Sequence, residues 1–474
     1  MPISDRAVFV SIGEYLLSGD RLYVDLYDNK DPLFFYAVAV QRSLGPFAEY
    51  LFELLMVAIT AVSAYDLSCT VDRIGTRRKK ILLIAVPLLI TGIFWIPGYT
   101  TLPGTALSLL ACALFLRGKT FLAGGCIGLV AFTKLIMLPL PSVFCFTYEL
   151  ILWNRRVSRE RLGRTTIGFV GASGIVCSIL IIRQELLGYL LAQQNNFLYA
   201  NGVLIDNSTF VTAFASHLRT MFTGMGAKWL LLASLIASMG FVGYVATRPS
   251  VEKMLKAFLI SSLVTSVIAI LILGLTGIWK HHLSLMYVSQ TLLLIGIATG
   301  LNTQKLMPSS SFAAAIVACA ILLSGTFSWR HYVELPTRIP ERMERVAQDS
   351  PESTALMAIH PTGTAFARLG KNNHPIPYGA PDNRLLCPEF SQYHFYSSER
   401  FDNTLDCAKK APTIVVDEDF VLLDEAPSWW PKDAQKQRIT RDWNNFVTEG
   451  ETILQSQYTC KTLEKVRVCD SIKQ

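Results

Sequence analysis

Long apolar runs separated by short polar segments fill residues 47–328. An α-helix needs about 20 apolar residues to cross the hydrocarbon core of a bilayer, and ten segments approach that length. The predicted spans are 47–65, 80–97, 103–116, 120–135, 137–153, 165–183, 228–246, 256–278, 283–300 and 311–328. After residue 328, Asp, Glu, Lys and Arg become as frequent as in an ordinary soluble domain. The pattern predicts an all-α polytopic membrane protein: an outer loop over 1–46, a transmembrane helical domain over 47–328 and a small α/β domain over 329–474.

The composition supports a membrane protein. Of the 474 residues, 51% are hydrophobic and 17% are charged, whereas soluble proteins carry about 25% charged residues. The net charge of +7 is explained by basic loops on the cytoplasmic face of a membrane. It therefore needs no nucleic-acid partner.

The basic loops predict which side of the membrane each segment occupies. Five turns carry the excess of Lys and Arg: 66–80, 117–119, 154–164, 247–256 and the turn at Lys305. They fall on one side if the ten spans alternate, and that side is predicted to be cytoplasmic. The outer loop and residues 329–474 then lie on the opposite, extracytoplasmic side. Because nothing in the sequence delivers residues 1–46 across the membrane, we expect that a first span is missing; unaided translocation of the N-terminus is the alternative.

The outer loop contains an amphipathic helix followed by a charged turn. Residues 5–18 have helical spacing, and Gly19-Asp20 ends the pattern. The face predicted to be apolar consists of Phe9, Ile12, Leu16 and Leu17. Four charged residues follow within seven positions: Asp25, Asp28, Lys30 and Asp31. A solvated interfacial loop is the simple interpretation of this charge density.

The same loop resembles the GT-C class of integral-membrane glycosyltransferases, in the branch of the protein O-mannosyltransferases and lipid A aminoarabinose transferases. That branch has an Asp after its first span, a helix ending in Leu-Leu-x-Gly, and then Tyr-x-Asp-x-aromatic-Asp-x-Lys-x-Pro-Leu. Here Asp5 takes the first position, residues 16–19 match the helix end, and residues 23–33 match the remainder. Asp31 departs from the family, which often has Pro or Gly there.

The resemblance implies an enzyme that transfers a sugar from a polyprenyl-phosphate donor to a hydroxyl of a glycan, lipid or protein acceptor at the outer face of the membrane. A carboxylate would take the acceptor proton, cations would stabilise the leaving phosphate, and direct displacement implies inversion. Asp5 is the candidate base, although an Asp at that position also suits an N-cap.

The acidic turn supplies further candidates. Asp28 and Lys30 are predicted to act with the base, and Asp25 to bind substrate. The two carboxylates would orient hydroxyls of the acceptor or sugar, and Lys30 would meet the phosphate. An Asp28–Lys30 ion pair is an equally simple interpretation for that lysine. Asp25 and Asp28 also offer oxygen ligands for a divalent cation. Two carboxylates are a weak signal, so the sequence leaves a divalent cation open and makes no cofactor certain.

Other candidates for substrate binding lie in the membrane domain. Lys134, in the segment AFTKL, fits a recurrent family position and is expected in a turn that faces the site. The turn at 279–287 resembles a late family motif, and its three basic side chains at the membrane surface suit a phosphate. They are Lys280, His281 and His282. Tyr99 is a candidate sugar contact; interfacial Lys, His and Tyr are common without any such role.

The C-terminal domain is predicted to contain strands at 353–359 and 413–416, helices at 341–348 and 437–448, and a strand pair over 451–469. Its four cysteines suggest two disulfides on the oxidising side of a membrane, with the local pairs Cys387–Cys407 and Cys460–Cys469 preferred.

Two other functional classes remain at this stage. A transporter or lipid flippase is the main alternative, although the apolar segments show no internal repeat. A noncatalytic assembly or sensor protein is the third, but such a protein has no use for an acidic loop beside basic turns.

Overall fold

The computed structural model describes residues 5–26, 28, 30–71, 100–194, 239–244, 252–276, 285–303, 351–362, 364–370, 384–386, 398–424, 433–463 and 465–472. Two predicted spans, 80–97 and 311–328, lie outside these residues, as does the predicted helix 341–348.

The membrane domain and outer loop are helical. The helices are α1 Asp5–Leu17, α2 Pro32–Ser43, α3 Pro46–Val71, α4 Thr101–Leu116, α5 Thr120–Thr133, α6 Pro139–Ile151, α7 Arg155–Ile182, α8 Lys253–Thr276 and α9 Leu285–Thr303, with a 3₁₀ turn at Leu135–Met137. Residues 186–194 are also helical. The outer loop thus contains a second helix, α2, which the sequence reading did not predict.

Several helices are suited to a bilayer. Among the described residues, three segments are long and apolar enough to cross it: Phe47–Val71, Arg155–Ile182 and Lys253–Leu273. Four shorter apolar helices accompany them: Thr101–Leu116, Thr120–Thr133, Leu135–Ile151 and Leu285–Ile297. The chain is therefore a helical membrane protein, and the count of ten spans stays a prediction.

Helix α7 joins the two ends of the helical domain. It has 28 residues, or about 42 Å of helix. Near its start, Arg161 forms an ion pair with Glu149 at 2.8 Å and donates to the Phe115 carbonyl at 2.6 Å. Directly after its end, Arg183 donates to the Asp20 carbonyl of the outer loop at 2.9 Å. The outer loop and the basic turn 117–119 consequently lie near opposite ends of α7.

Glycines allow α5 and α7 to approach closely. A Cβ atom at Gly124 would lie 1.9 Å from the Thr165 carbonyl oxygen, and one at Gly168 would lie 1.9 Å from that of Phe121. Small residues are the usual means of close packing between helices in membranes, where no hydrophobic driving force brings them together.

The C-terminal domain is built on a five-stranded sheet. Its elements are α10 Pro351–Ile359, β1 Ala365–Leu369, β2 Arg384–Leu385, α11 Ser398–Ala408, β3 Thr413–Val416, α12 Asp433–Gln457, β4 Tyr458–Leu463 and β5 Val466–Ser471. The strand order is β2-β1-β3-β5-β4; β2, β1 and β3 are parallel, whereas β5 is antiparallel to both neighbours.

The predicted α/β character is confirmed, with two corrections. The segment 353–359 is not a strand; it belongs to α10, because Ala, Leu and Met are strong helix formers and Pro351 suits the first helical turn. The strand at 413–416 is confirmed. The helix predicted at 437–448 continues to Gln457, so the strand pair starts at Tyr458 instead of 451.

One predicted disulfide is confirmed. Cys460 and Cys469 face each other across β4 and β5 and are bonded. Cys407 is also disulfide-bonded, and its other cysteine lies outside the described residues, so the pairing with Cys387 stays a prediction.

The sheet buries both faces. One face packs on α11 and α12 through Ala367, Leu369, Ile414 and Val416. The other face contributes Phe366, Val415, Val466 and Val468 to a hydrophobic cluster that also contains α10 and side chains of the outer loop. The domain therefore packs against the outer loop, and the side of the membrane on which both lie stays a prediction.

Candidate active site in the outer loop

Helix α1 presents its apolar face to α2. Phe9, Ile12 and Leu16 are buried as predicted, whereas Leu17 is 50% exposed. Leu17 is the last residue of the helix, and the chain turns away at Gly19, whose φ is +99°. Phe9 packs edge-on against the rings of Phe34 and Phe35. Asp5 is the first residue of α1, and its side chain lies outside the described residues.

The turn after α1 is fixed by backbone and tyrosine contacts. Tyr23 has a φ of +64°, which costs energy for a residue other than glycine. Its hydroxyl donates to the Lys30 carbonyl at 2.5 Å. Gly188 makes room for it, because a Cβ atom there would lie 2.5 Å from the Tyr23 carbonyl oxygen. The segment 186–194 thus covers this turn.

Asp25 has a strong partner in Arg21. The guanidinium donates to both carboxylate oxygens, Nε to Oδ2 at 2.8 Å and Nη2 to Oδ1 at 3.0 Å, and the Arg21 amide adds a third bond at 2.9 Å. The ion pair raises the pKa of Arg21 further above its usual value. The substrate-binding role predicted for Asp25 would require a ligand to share these oxygens.

Asp28 and Lys30 form the ion pair that the sequence allowed. The Lys30 amide donates to Asp28 Oδ1 at 2.8 Å, and Lys30 Nζ lies 3.8 Å from the same oxygen. Lys30 Nζ also lies 5.7 Å from the centre of the Phe9 ring. The Asp28–Lys30 pair is thus mostly buried and lies beside Phe9 of α1.

Asp31 connects three separate parts of the chain, and the sequence reading did not identify it as a site residue. It precedes α2 but makes no capping bond to that helix. Its carboxylate, 6% exposed, accepts instead from the Leu135 amide at 2.9 Å, the Tyr189 hydroxyl at 3.0 Å and Gln193 Nε2 at 3.3 Å.

Lys134 lies in the break between α5 and the 3₁₀ turn, as the sequence predicted. It is not helical: its φ and ψ are −158° and 82°. It is 7% exposed, and its ammonium makes no hydrogen bond or ion pair with any residue that the structure describes. Helix α4 presses on it, since a Cβ atom at Gly104 would lie 3.1 Å from Lys134 Cβ.

These groups influence one another electrostatically. Burial lowers the pKa of Lys134 to about 8; the Lys30 charge also lowers it, and the charges of Asp31 and Asp28 oppose that shift. Burial raises the pKa of Asp31, against the Leu135 hydrogen bond and the charges of both lysines. Burial and the Asp31 charge together raise the pKa of Tyr189. We call Asp28, Lys30, Asp31 and Lys134 the charged cluster.

A second carboxylate, Glu185, holds the outer loop to the end of α7. It is fully buried and accepts from the Leu22 amide and from Arg183 Nε, at 2.9 and 2.8 Å, and from the Tyr36 hydroxyl. Burial and the carboxylate bond hold the pKa of Tyr36 well above its usual value. The sequence reading missed this residue, and its neighbours along the chain give no signal of its role.

Other predicted candidates lie outside the described residues: Tyr99, Lys280, His281 and His282. Their substrate-binding roles stay predictions. Among the residues that the structure does describe, no cluster of three or more His, Cys, Asp or Glu side chains has the arrangement of a metal site.

A narrow cleft borders the Phe9 ring. Helices α1 to α4 line it with Phe9, Val10, Phe34, Val38, Gln41, Glu49, Phe52, Glu53, Leu102 and Pro103. The charged cluster and this cleft share Phe9 as a wall.

Comparisons with known proteins identify similar structures but no family. No family model and no curated protein matches the chain. Arabinofuranosyltransferase AftD from Mycobacteria is similar over 93% of this chain and 35% of its own, at 14% identity and a TM-score of 0.46. The chain thus spans about a third of that protein.

Two structures of an oligosaccharyltransferase from Archaeoglobus fulgidus are also similar, each at 10% identity. The structure of AglB in complex with an inhibitory peptide and a dolichol-phosphate is similar over 99% of this chain and 70% of its own, at a TM-score of 0.46. The apo form is similar over 87% of this chain and 66% of its own, at a TM-score of 0.47. All three are glycosyltransferases by name, the class that the outer loop resembles, and likeness at this level does not assign an activity.

Proposed function

We propose that this protein is a membrane glycosyltransferase that moves a sugar from a polyprenyl-phosphate donor to an acceptor hydroxyl at the outer face of the membrane. The observation that carries the proposal is the charged cluster, and in particular a buried Lys134 with no ionic partner among the described residues. A buried charge is costly unless something pairs with it. The phosphate of a lipid-linked sugar, which sits at this depth of the membrane, would supply the missing negative charge.

The charged cluster suits the leaving phosphate better than a free metabolite. Lys134 ends an apolar helix, so the lipid chain of a donor can stay in the bilayer while its phosphate reaches the ammonium. Lys30 lies close enough to Lys134 to lower its pKa, which indicates two cations around one position. Two cations at the position where negative charge develops would stabilise the transition state more than the ground state.

The proposed reaction is a single displacement. The acceptor oxygen attacks the anomeric carbon, the bond from that carbon to the phosphate oxygen breaks, and the polyprenyl phosphate leaves with the electron pair. Asp5 takes the acceptor proton, and the anomeric configuration inverts. Asp28 orients the sugar or the Lys30 ammonium, with which it pairs. A divalent cation, if the reaction uses one, would add positive charge at the phosphate.

The topology supports an outer-face reaction. The sheet domain lies on the same side as the outer loop and contains the Cys460–Cys469 disulfide, and disulfides persist in oxidising compartments. The proposed location is a cytoplasmic membrane of bacterial type, with residues 329–474 extracytoplasmic; in an endoplasmic reticulum membrane the lumen would take the place of the outside.

The test is release of labelled sugar from lipid. Membranes containing the protein are incubated with a panel of radiolabelled polyprenyl-phosphate sugars, and label leaving the lipid fraction is counted for the parent, Asp5→Ala, Lys134→Met and Lys409→Met. Lys409 is a matched control, because it is an exposed lysine paired with Asp406 in the C-terminal domain. Release by the parent and Lys409→Met, but by neither other variant, is the expected result.

Other outcomes would count against parts of the proposal. Equal release by the parent and Asp5→Ala would remove Asp5 as the base. No release from any donor by folded, inserted protein would favour the transporter or flippase alternative.

A further inference from the structure

We propose that Asp31 is the positioning residue of the charged cluster: its carboxylate fixes the break that carries Lys134 and keeps a negative charge beside that ammonium while the donor phosphate is absent. The proposal rests on the proposed function, and it assigns a role to a residue at which the chain departs from the family pattern. Asp31 is argued to act through Lys134 and not on the substrate.

The first argument is geometric. Leu135 directly follows Lys134, and its amide donates to Asp31 Oδ2 at 2.9 Å. The Leu135 amide follows a helix break, and its partner comes from a residue 104 positions away. Fixing the Leu135 amide fixes the peptide plane that joins it to Lys134. The direction in which the lysine leaves the backbone is therefore set by Asp31.

The second argument is that Asp31 is itself held in place. The Tyr189 hydroxyl and Gln193 Nε2 donate to its other oxygen, Oδ1, at 3.0 and 3.3 Å. Tyr189 is 5% exposed, and its ring packs on those of Tyr23 and Phe132. A carboxylate accepting from three groups cannot rotate freely. The resulting contact joins the outer loop, the helix break and segment 186–194.

The third argument is electrostatic. The charged groups that act on Lys134 are Lys30, Asp31 and Asp28, all from the outer loop; α4 contributes Gly104, and segment 186–194 contributes the neutral Tyr189 through Asp31. Asp28 forms an ion pair with Lys30, and Asp31 is the carboxylate whose charge acts more strongly on Lys134. Without Asp31, only the charge of Asp28 opposes the repulsion of Lys30 and the cost of burying the Lys134 ammonium.

The test compares Asp31→Asn, which keeps the shape and removes the charge, with Tyr189→Phe, which removes one donor and keeps the charge. Glu14→Gln is the matched control, an exposed carboxylate of the same loop paired with Arg42. Two readouts are measured between pH 6 and 10: sugar release, and the rate of Lys134 acetylation by a small anhydride, followed by mass spectrometry. Acetylation requires the neutral amine, so its rate reports the protonation of Lys134 even if no sugar is released from any donor.

Asp31→Asn removes a charge that raises the pKa of Lys134. The pH midpoint of Lys134 acetylation, and the pH at which sugar release declines, should therefore both move to lower values. The ratio of release at pH 8.5 to that at pH 7 should fall about twofold below the parent, as a shift of about half a pH unit from a pKa near 8 requires. Tyr189→Phe and Glu14→Gln should keep the parent midpoint. An unchanged acetylation midpoint in a folded Asp31→Asn protein would overturn the inference, whatever the release data show. A shifted midpoint with no release from any donor would preserve the role of Asp31 and refute only the proposed function.

Discussion

Two buried basic side chains in this protein have opposite surroundings. In the C-terminal domain, Arg368 donates from Nε to both oxygens of Asp417 at 2.9 Å, and both side chains are almost fully buried. In the membrane domain, Lys134 is equally buried but has no ion pair among the described residues. Arg368 has its counterion within the fold, which is typical of a structural pair. Lys134 forms no such ion pair with the described residues and has only the more distant charges of Asp31 and Asp28 near it, which is typical of a residue that binds a charged ligand.

The strongest test of this comparison is Lys134→Met. The change keeps the length of the side chain and removes the charge, so sugar release should fall about 10²–10³-fold, the usual loss when one group that stabilises developing charge is removed. Thermal stability should not fall. The pKa of about 8 means that burial disfavours the charged form by roughly 3 kcal/mol, and methionine does not carry that penalty. Thermal melts of the purified protein and release assays measure the two effects; a lower melting temperature would show that Lys134 has an internal partner.

The second test is Arg368→Met, for which the comparison predicts the reverse. It leaves Asp417 buried without its counterion, a change that typically costs about 3–5 kcal/mol. Limited proteolysis should therefore cleave the C-terminal domain more rapidly, and any loss of release should follow the fraction of unfolded protein. Replacing both partners, with Arg368→Met and Asp417→Leu together, should restore most of the protease resistance. If the double variant is cleaved as rapidly as Arg368→Met, the ion pair contributes to stability beyond neutralising the two buried charges.

The pH dependence of release gives a third, smaller effect. Lys134 has a pKa of about 8, lowered from its value in the unfolded chain, so its ammonium is present below pH 8 and lost above it. Release at low donor concentration should fall about tenfold from pH 7 to pH 9 for one such group. Saturating donor should move the decline to higher pH, because a bound phosphate favours the charged amine. A flat profile over this range would mean that Lys134 is not the cation that meets the donor.

The difference between the two regions also shows what the sequence could reveal. The buried face of α1, the strand at 413–416 and the turn at Lys134 follow from local patterns, and the structure has all three. Segment 353–359 was predicted as a strand, since a short apolar run fits a buried strand or helix equally well. The partners of Asp31 are 104 and 158 residues away along the chain. No local pattern reports contacts of that kind, so the residue that joins the parts of the site was missed.

The smallest predicted effect comes from an ion pair at the surface of the outer loop. Arg42 Nη2 lies 2.5 Å from Glu14 Oε1, and both side chains are more than a third exposed. Exposed pairs typically contribute about 0.2–1 kcal/mol and are weakened by salt, so Arg42→Gln should change the melting temperature only slightly and leave sugar release at the parent level. The pair links α2 to α1 and includes no member of the charged cluster. If Arg42→Gln reduced sugar release as much as Lys134→Met, the loss of an exposed positive charge on the outer loop would be as damaging as the loss of the buried one. The distinction between a buried cation that has a partner and one that lacks it would then have no functional meaning.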